Sequence, residues 1–101
     1  MPFITQILLP KHDNLGRRFP RARYRAFQAR MLRRFGGWTR KRQAEGAWLS
    51  EPGDVFMDEH WVYEIAHSRR NLQFFQAEKE RLKEEFEQEE IWMMQYEGRR
   101  I

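Results

Sequence analysis

Glu59 to His67 (EHWVYEIAH) alternates large apolar with smaller or polar side chains, the period of a β-strand. Trp61, Tyr63 and Ile65 fall on one side of such a strand; His60, Val62, Glu64 and Ala66 fall on the other. A strand built this way needs a sheet with one covered face and one face carrying polar groups. That requirement is the strongest constraint in the chain, and the neighbouring segments are read against it.

Phe3 to Leu9 (FITQILL) is a second strand, closed by Pro10, which removes a ladder donor. Phe3, Thr5, Ile7 and Leu9 share one face, and Ile4, Gln6 and Leu8 the other. Both faces are fairly apolar, as suits a central strand. Lys11 to Arg18 is a loop with turn chemistry at Asp13-Asn14-Leu15-Gly16. Pro20 to Phe35 reads as a helix, with Tyr24, Phe27, Met31, Leu32 and Phe35 as its apolar stripe and Gly36-Gly37 as its stop.

Trp38 to Trp48 reads as an edge strand, where Arg40-Lys41-Arg42 and a bulge at Gly46 discourage stray pairing. Ser50 to Asp54 (SEPGD) is a turn, so this strand and Val55–His67 form a hairpin. A second helix, capped by Ser68 or Asn71, runs to about Gln88 on the stripe Leu72, Phe75, Leu82 and Phe86. Lys79 interrupts that stripe and is expected to extend its ammonium to solvent; Phe74 lies off it and is expected to be partly exposed. Glu89 to Tyr96 is the last strand, and Gly98 to Ile101 a tail.

The order is therefore β-α-β-β-α-β. The expected fold is an α+β, ferredoxin-like two-layer sandwich in a single domain, with a four-stranded antiparallel sheet and both helices on one face. At 101 residues, 41% hydrophobic and 15% aromatic, the chain holds enough apolar surface for one core. There is no cysteine, which removes thiol chemistry and disulfides and suits a reducing compartment; a cytoplasmic location is the expectation. No apolar run is long enough for a membrane span, and the first residues do not read as a signal peptide.

The net charge of +4 conceals an asymmetry: residues 1–50 carry +10, and residues 51–101 carry −6. Arginines dominate the basic half. Arg23, Arg30, Arg33, Arg34, Arg40 and Arg42 are the anion-binding candidates, since the planar guanidinium suits phosphate. The competing reading pairs the first helix with the glutamate-rich second one (Glu78, Glu80, Glu84, Glu85, Glu87). The strand DEHWVYEI lacks the glycine of an RNA-recognition strand, and its acids oppose nucleic acid.

The uncovered sheet face is the main candidate site. Gln6, His60, Val62 and Glu64 are expected there, joined by one of two rows from the last strand: Ile91, Met93, Gln95 or Trp92, Met94, Tyr96. A mixed polar and apolar surface of this kind suits a second subunit packed sheet to sheet, or a small molecule held between subunits. Three scattered histidines give no metal pattern: His60 and Glu64 would lie about 13 Å apart along a strand. No metal, cofactor or catalytic residue is assigned.

In element order, from Phe3 to Tyr96, the chain resembles the small stand-alone ferredoxin-like proteins that form dimeric α/β barrels, such as the antibiotic-biosynthesis monooxygenase and stress-responsive barrel groups. The resemblance implies a homodimer through the sheet faces, in some cases with an aromatic substrate or haem in the barrel. Three functions follow as expectations. The first is a homodimeric small-ligand-binding or protein-interaction domain without chemistry of its own. The second is an oxygenase-like enzyme using the inter-subunit cavity, with His60 or His67 as titratable group. The third is a nucleic-acid-binding module using the arginine-rich first helix.

Overall fold

The computed structural model describes the backbone of residues 2–49 and 55–101, and the side chains of these except 42–58. The elements run β1 (Phe3–Pro10), α1 (Arg21–Phe35), β2 (Thr39–Leu49), β3 (Val55–His67), α2 (Leu72–Glu85) and β4 (Met93–Glu97). The strands lie in the order β2-β3-β1-β4, every neighbouring pair antiparallel. This is the ferredoxin-like α+β arrangement, with β1 and β3 in the centre.

Register explains which face is dry. Ile7 stands opposite Tyr63 and Met93, and Thr5 opposite Ile65 and Gln95. These residues, with Leu9, lie on the side of the sheet that the helices cover. Ile7, Leu9, Tyr63 and Ile65 from the sheet meet Phe27 and Met31 of α1 and Leu82 and Phe86 at the α2 side, and none of the eight retains exposed surface. Each such side chain contributes about 1.5–3 kcal/mol by leaving water. Aromatic edges organise the layer: Phe27 meets Tyr63 at 5.0 Å, and Phe19 meets Phe86 at 5.1 Å, both near-perpendicular.

Local chemistry sets the boundaries. The Asp13 carboxylate accepts from the backbone N–H of Leu15 and Arg17, both at 2.9 Å, and Gly16 takes φ +79°, completing the turn before α1. Gly36 ends α1 at φ +82°, its N–H returning to the Leu32 carbonyl. Asn71 precedes α2 at φ +50° but gives it no side-chain cap; its amide bonds the Arg69 carbonyl instead.

Several expectations are corrected. Pro10 pairs with His60 as the last residue of β1, where its carbonyl accepts the Tyr24 hydroxyl at 2.6 Å. The β2 irregularity falls between Lys41 and Ala44, while Gly46 pairs normally with Asp58. The turn at 50–54 lies outside the described residues. Helix α2 stops at Glu85, because Glu87 turns to φ +52°; β4 accordingly starts at Met93, four residues later than expected. Leu32 and Leu72 sit at the edge of their stripes and are more than half exposed. Lys79 is half-buried, its ammonium 2.8 Å from Glu90 instead of free in solvent; Phe74, by contrast, is partly exposed as expected, packed against Phe35 and Phe75.

Candidate functional site

The site is built on the sheet face that the helices leave uncovered. Alternation along β1 and β3 brings Gln6 opposite Glu64 and Leu8 opposite Val62; β4 adds Tyr96 opposite Ile4 and Met94 opposite Gln6. The β4 row on this face is therefore Trp92, Met94 and Tyr96, while Ile91 is buried on the helix side. Gln6, His60, Val62 and Glu64 all fall on this face, as the alternation requires.

Three donors converge on one oxygen of Glu64. Gln6 Nε2 donates to Oε2 at 3.0 Å, the Tyr96 hydroxyl at 3.2 Å, and the Lys41 ammonium lies 3.1 Å away. The Glu64 side chain is 16% exposed, and no hydrogen bond from a described residue reaches its second oxygen, Oε1. Partial burial, and then the Glu64 charge and hydrogen bond, raise the Tyr96 phenol above its ordinary pKa, so it remains a donor at neutral pH. Tyr96 belongs to one of the two rows expected on this face, whereas Lys41 was read from the sequence only as an edge charge. Strand alternation was the available signal: Lys41 pairs with Val62 and so faces away from its neighbour Arg40, which pairs with Tyr63.

Starting two residues along β1 from Gln6, at the His60 end of the face, lies a hollow of about 480 Å³, lined by Leu8, Pro10, His60, Gln88, Glu90, Ile91 and Trp92. Trp92, Met94 and Tyr96 are 42–51% exposed along the adjoining edge. A largely apolar hollow with a few polar groups in its lining is the usual character of a small-molecule site.

The histidine candidates separate. His60 lines the hollow. His67 is buried on the helix side, between Phe3, Phe35 and Phe75. Its Nδ1–H donates to the Arg69 carbonyl, which leaves Nε2 to accept from the Thr5 hydroxyl at 2.7 Å; Thr5 in turn accepts from Gln95. That ring is a structural link between β1, β3 and β4, and it does not reach the uncovered face.

The arginine candidates also separate. Arg30 is held by Glu78 (2.6 and 2.9 Å) and Glu85 (2.6 and 3.2 Å), all three side chains largely buried. Burial opposes the guanidinium charge, but the hydrogen bonds it donates to Glu85 and Glu78 outweigh that and the pKa rises. Arg23 bonds the Glu85 carbonyl and lies 3.4 Å from Glu87. Those two arginines thus join the helices, as the competing reading held. Arg34 lies over the rings of Phe35 and Phe74, and with Arg33 and Arg81 it lines the groove between the helices. Arg40 stacks on Trp61 on the covered side of the sheet. The Arg42 side chain lies outside the described residues.

No helix among the described residues is long and apolar enough to cross a membrane. No protein-family model and no curated protein matches the sequence. Among solved structures, the chain is similar in fold to a phage SAM lyase in complex with S-methyl-5'-thioadenosine, with a TM-score of 0.70 and 15% identity. The likeness covers 95% of this chain and 81% of that one.

Proposed function

We propose that this chain is a small-ligand-binding domain, whose ligand lies on the uncovered sheet face at Glu64 and is enclosed by a second copy of the chain. The observation that carries the reading is the Glu64 carboxylate: partly buried, oriented by Gln6, Lys41 and Tyr96 through one oxygen, and left with the other oxygen reached by no hydrogen bond from a described residue. A ligand that offers an N–H or O–H donor completes it, while its apolar part occupies the Leu8/His60/Trp92 hollow. The exposed row of Trp92, Met94 and Tyr96 supplies the apolar surface against which a second sheet packs. The fold likeness to a lyase solved with S-methyl-5'-thioadenosine, a compound with both a donor-rich and an apolar end, supplies the first ligand to try.

The test is a titration with S-methyl-5'-thioadenosine, followed by tryptophan fluorescence, together with light scattering on the eluting protein. A dimer is expected, shifted towards monomer by Met94→Lys. Saturable binding is expected, weakened about tenfold or more by Glu64→Gln if that carboxylate accepts from the ligand. A monomer at all concentrations that also binds no ligand would overturn the reading.

A second reading makes the same cluster catalytic. What favours it is the Tyr96 phenol set 3.2 Å from the Glu64 carboxylate, an acid beside a base, on the fold of an enzyme. Incubation with SAM, followed by its loss over time, distinguishes an enzyme from a binding domain. His67 has no part in either version.

A further inference from the structure

On the opposite, helix-covered side of the sheet, at the edge where α1 begins, lies a second hollow of about 580 Å³. Among the described residues it is lined by five cations and four aromatics, Arg18, Arg21, Arg25, Arg40, Trp38 and Trp61 among them, and by no carboxylate. Lys11 and Arg40 both lie over the Trp61 ring, at 3.9 and 4.3 Å. Tyr24 and Gln28 form a fixed wall, since the Tyr24 hydroxyl bonds the Pro10 carbonyl and the Gln28 amide bonds the Tyr63 hydroxyl at 2.9 Å.

The charge arrangement is locally unfavourable. Arg21 and Arg25 stand four apart on α1, where like charges repel. They also occupy the start of a helix that has no side-chain cap and no acid in its first turn, the end where the macrodipole disfavours cations. Arg23, which lies between them in the sequence, and Arg30, further along α1, are matched by glutamates of α2 and its end. Arg18, Arg21, Arg25 and Arg40 form no ion pair with any described residue. Arg33 and Arg34 are likewise without an ion pair among the described residues, but only this group is gathered with several aromatic rings around one hollow.

We infer that this hollow binds a phosphate-bearing aromatic anion of nucleotide size, a nucleoside polyphosphate being the class that fits. The arginines supply forks for several phosphate oxygens, and the exposed α1 N-terminus adds backbone donors. Trp38, 37% exposed at the hollow and tilted against Tyr63, offers a ring face on which a base stacks. The volume lies within the range of small-ligand sites and matches one nucleotide rather than a strand. This site is separate from the Glu64 site, and either stands without the other.

Calorimetric titration of the full chain with ATP, inorganic pyrophosphate and a single-stranded oligonucleotide tests it, at near-physiological salt. ATP is expected to bind saturably, one per chain, and more tightly than pyrophosphate. The double substitution Arg21→Gln/Arg25→Gln weakens ATP about tenfold or more. Trp38→Ala weakens ATP and leaves pyrophosphate unchanged. The same loss of charge in the tail, Arg99→Gln/Arg100→Gln, leaves both unchanged. Because Arg21 and Arg25 are exposed and form no ion pair among the described residues, their double variant retains the far-ultraviolet circular dichroism of the parent. Equal weakening by the tail variant, pyrophosphate binding as tightly as ATP, or binding of the oligonucleotide without ATP would each overturn the inference.

Discussion

Individual side chains show how far burial alters ordinary chemistry. Tyr24 is the clearest: burial, and then the neighbouring Tyr63, push its phenol from 10.0 up to about 12. In the unfolded chain the same phenol ionises near 10, so the unfolded state gains charge first as pH rises. The stabilisation is complete below pH 10 and is lost between 10 and about 12. Urea unfolding at pH 9 and pH 11.5, for the parent and Tyr24→Phe, is expected to show a steep loss in the parent and a shallower one in the variant. Equal slopes would mean that Tyr24 titrates as an exposed phenol and does not hold the Pro10 carbonyl. Tyr96, raised by partial burial and by Glu64, contributes in the same direction and remains in the variant.

Between elements, the decisive interaction is the one from Arg30 on α1 to Glu78 and Glu85 on α2. Glu78 is 4% exposed, so its charge is tolerable only because the guanidinium answers it with two hydrogen bonds. Glu78→Ala leaves Arg30 with half its partners in a dry interface and is expected to cost about 3 kcal/mol by denaturant unfolding. Glu80→Ala is the control: Glu80 is 71% exposed and pairs only with Lys83, so no measurable change is expected. The sequence named Glu78 among five glutamates facing the arginines but not as the buried one, because a buried glutamate and an exposed one read alike until the partner helix is placed. The stripes did locate Phe27, Met31, Phe75 and Leu82, whose burial depends on helical spacing alone. They misplaced Leu32 and Leu72, which lie at the margin where a small rotation of the helix decides between core and solvent.

The whole molecule divides its charge unevenly, and the helix pair cancels only part of it. Arg23 and Arg30 are neutralised, while Arg18, Arg21, Arg25 and Arg40 crowd one end of the sandwich. Repulsion among exposed charges is screened by salt, whereas the half-buried Arg30 pairs are screened much less. The thermal midpoint is therefore expected to rise as NaCl goes from about 0.02 M to about 0.2 M, where the Debye length falls below about 10 Å. A midpoint that falls would show that attraction between the two halves outweighs repulsion within the basic one.

Element order, strand faces and the Asp13 turn were legible in the sequence, because each depends on neighbours only a few residues apart: the two-residue pleat, the 3.6-residue turn, a side chain reaching its own backbone. The placement of Gln6 and Glu64 on one face followed from that alternation. Which arginines are neutralised did not, since Arg30 meets Glu78 across 48 residues. Nor did the convergence of Gln6, Lys41 and Tyr96 on one carboxylate oxygen, which requires side chains from four strands at a common register. Local backbone geometry wrote the first set; only the packing of sheet against helices, acting over distances the chain order does not encode, decided the second.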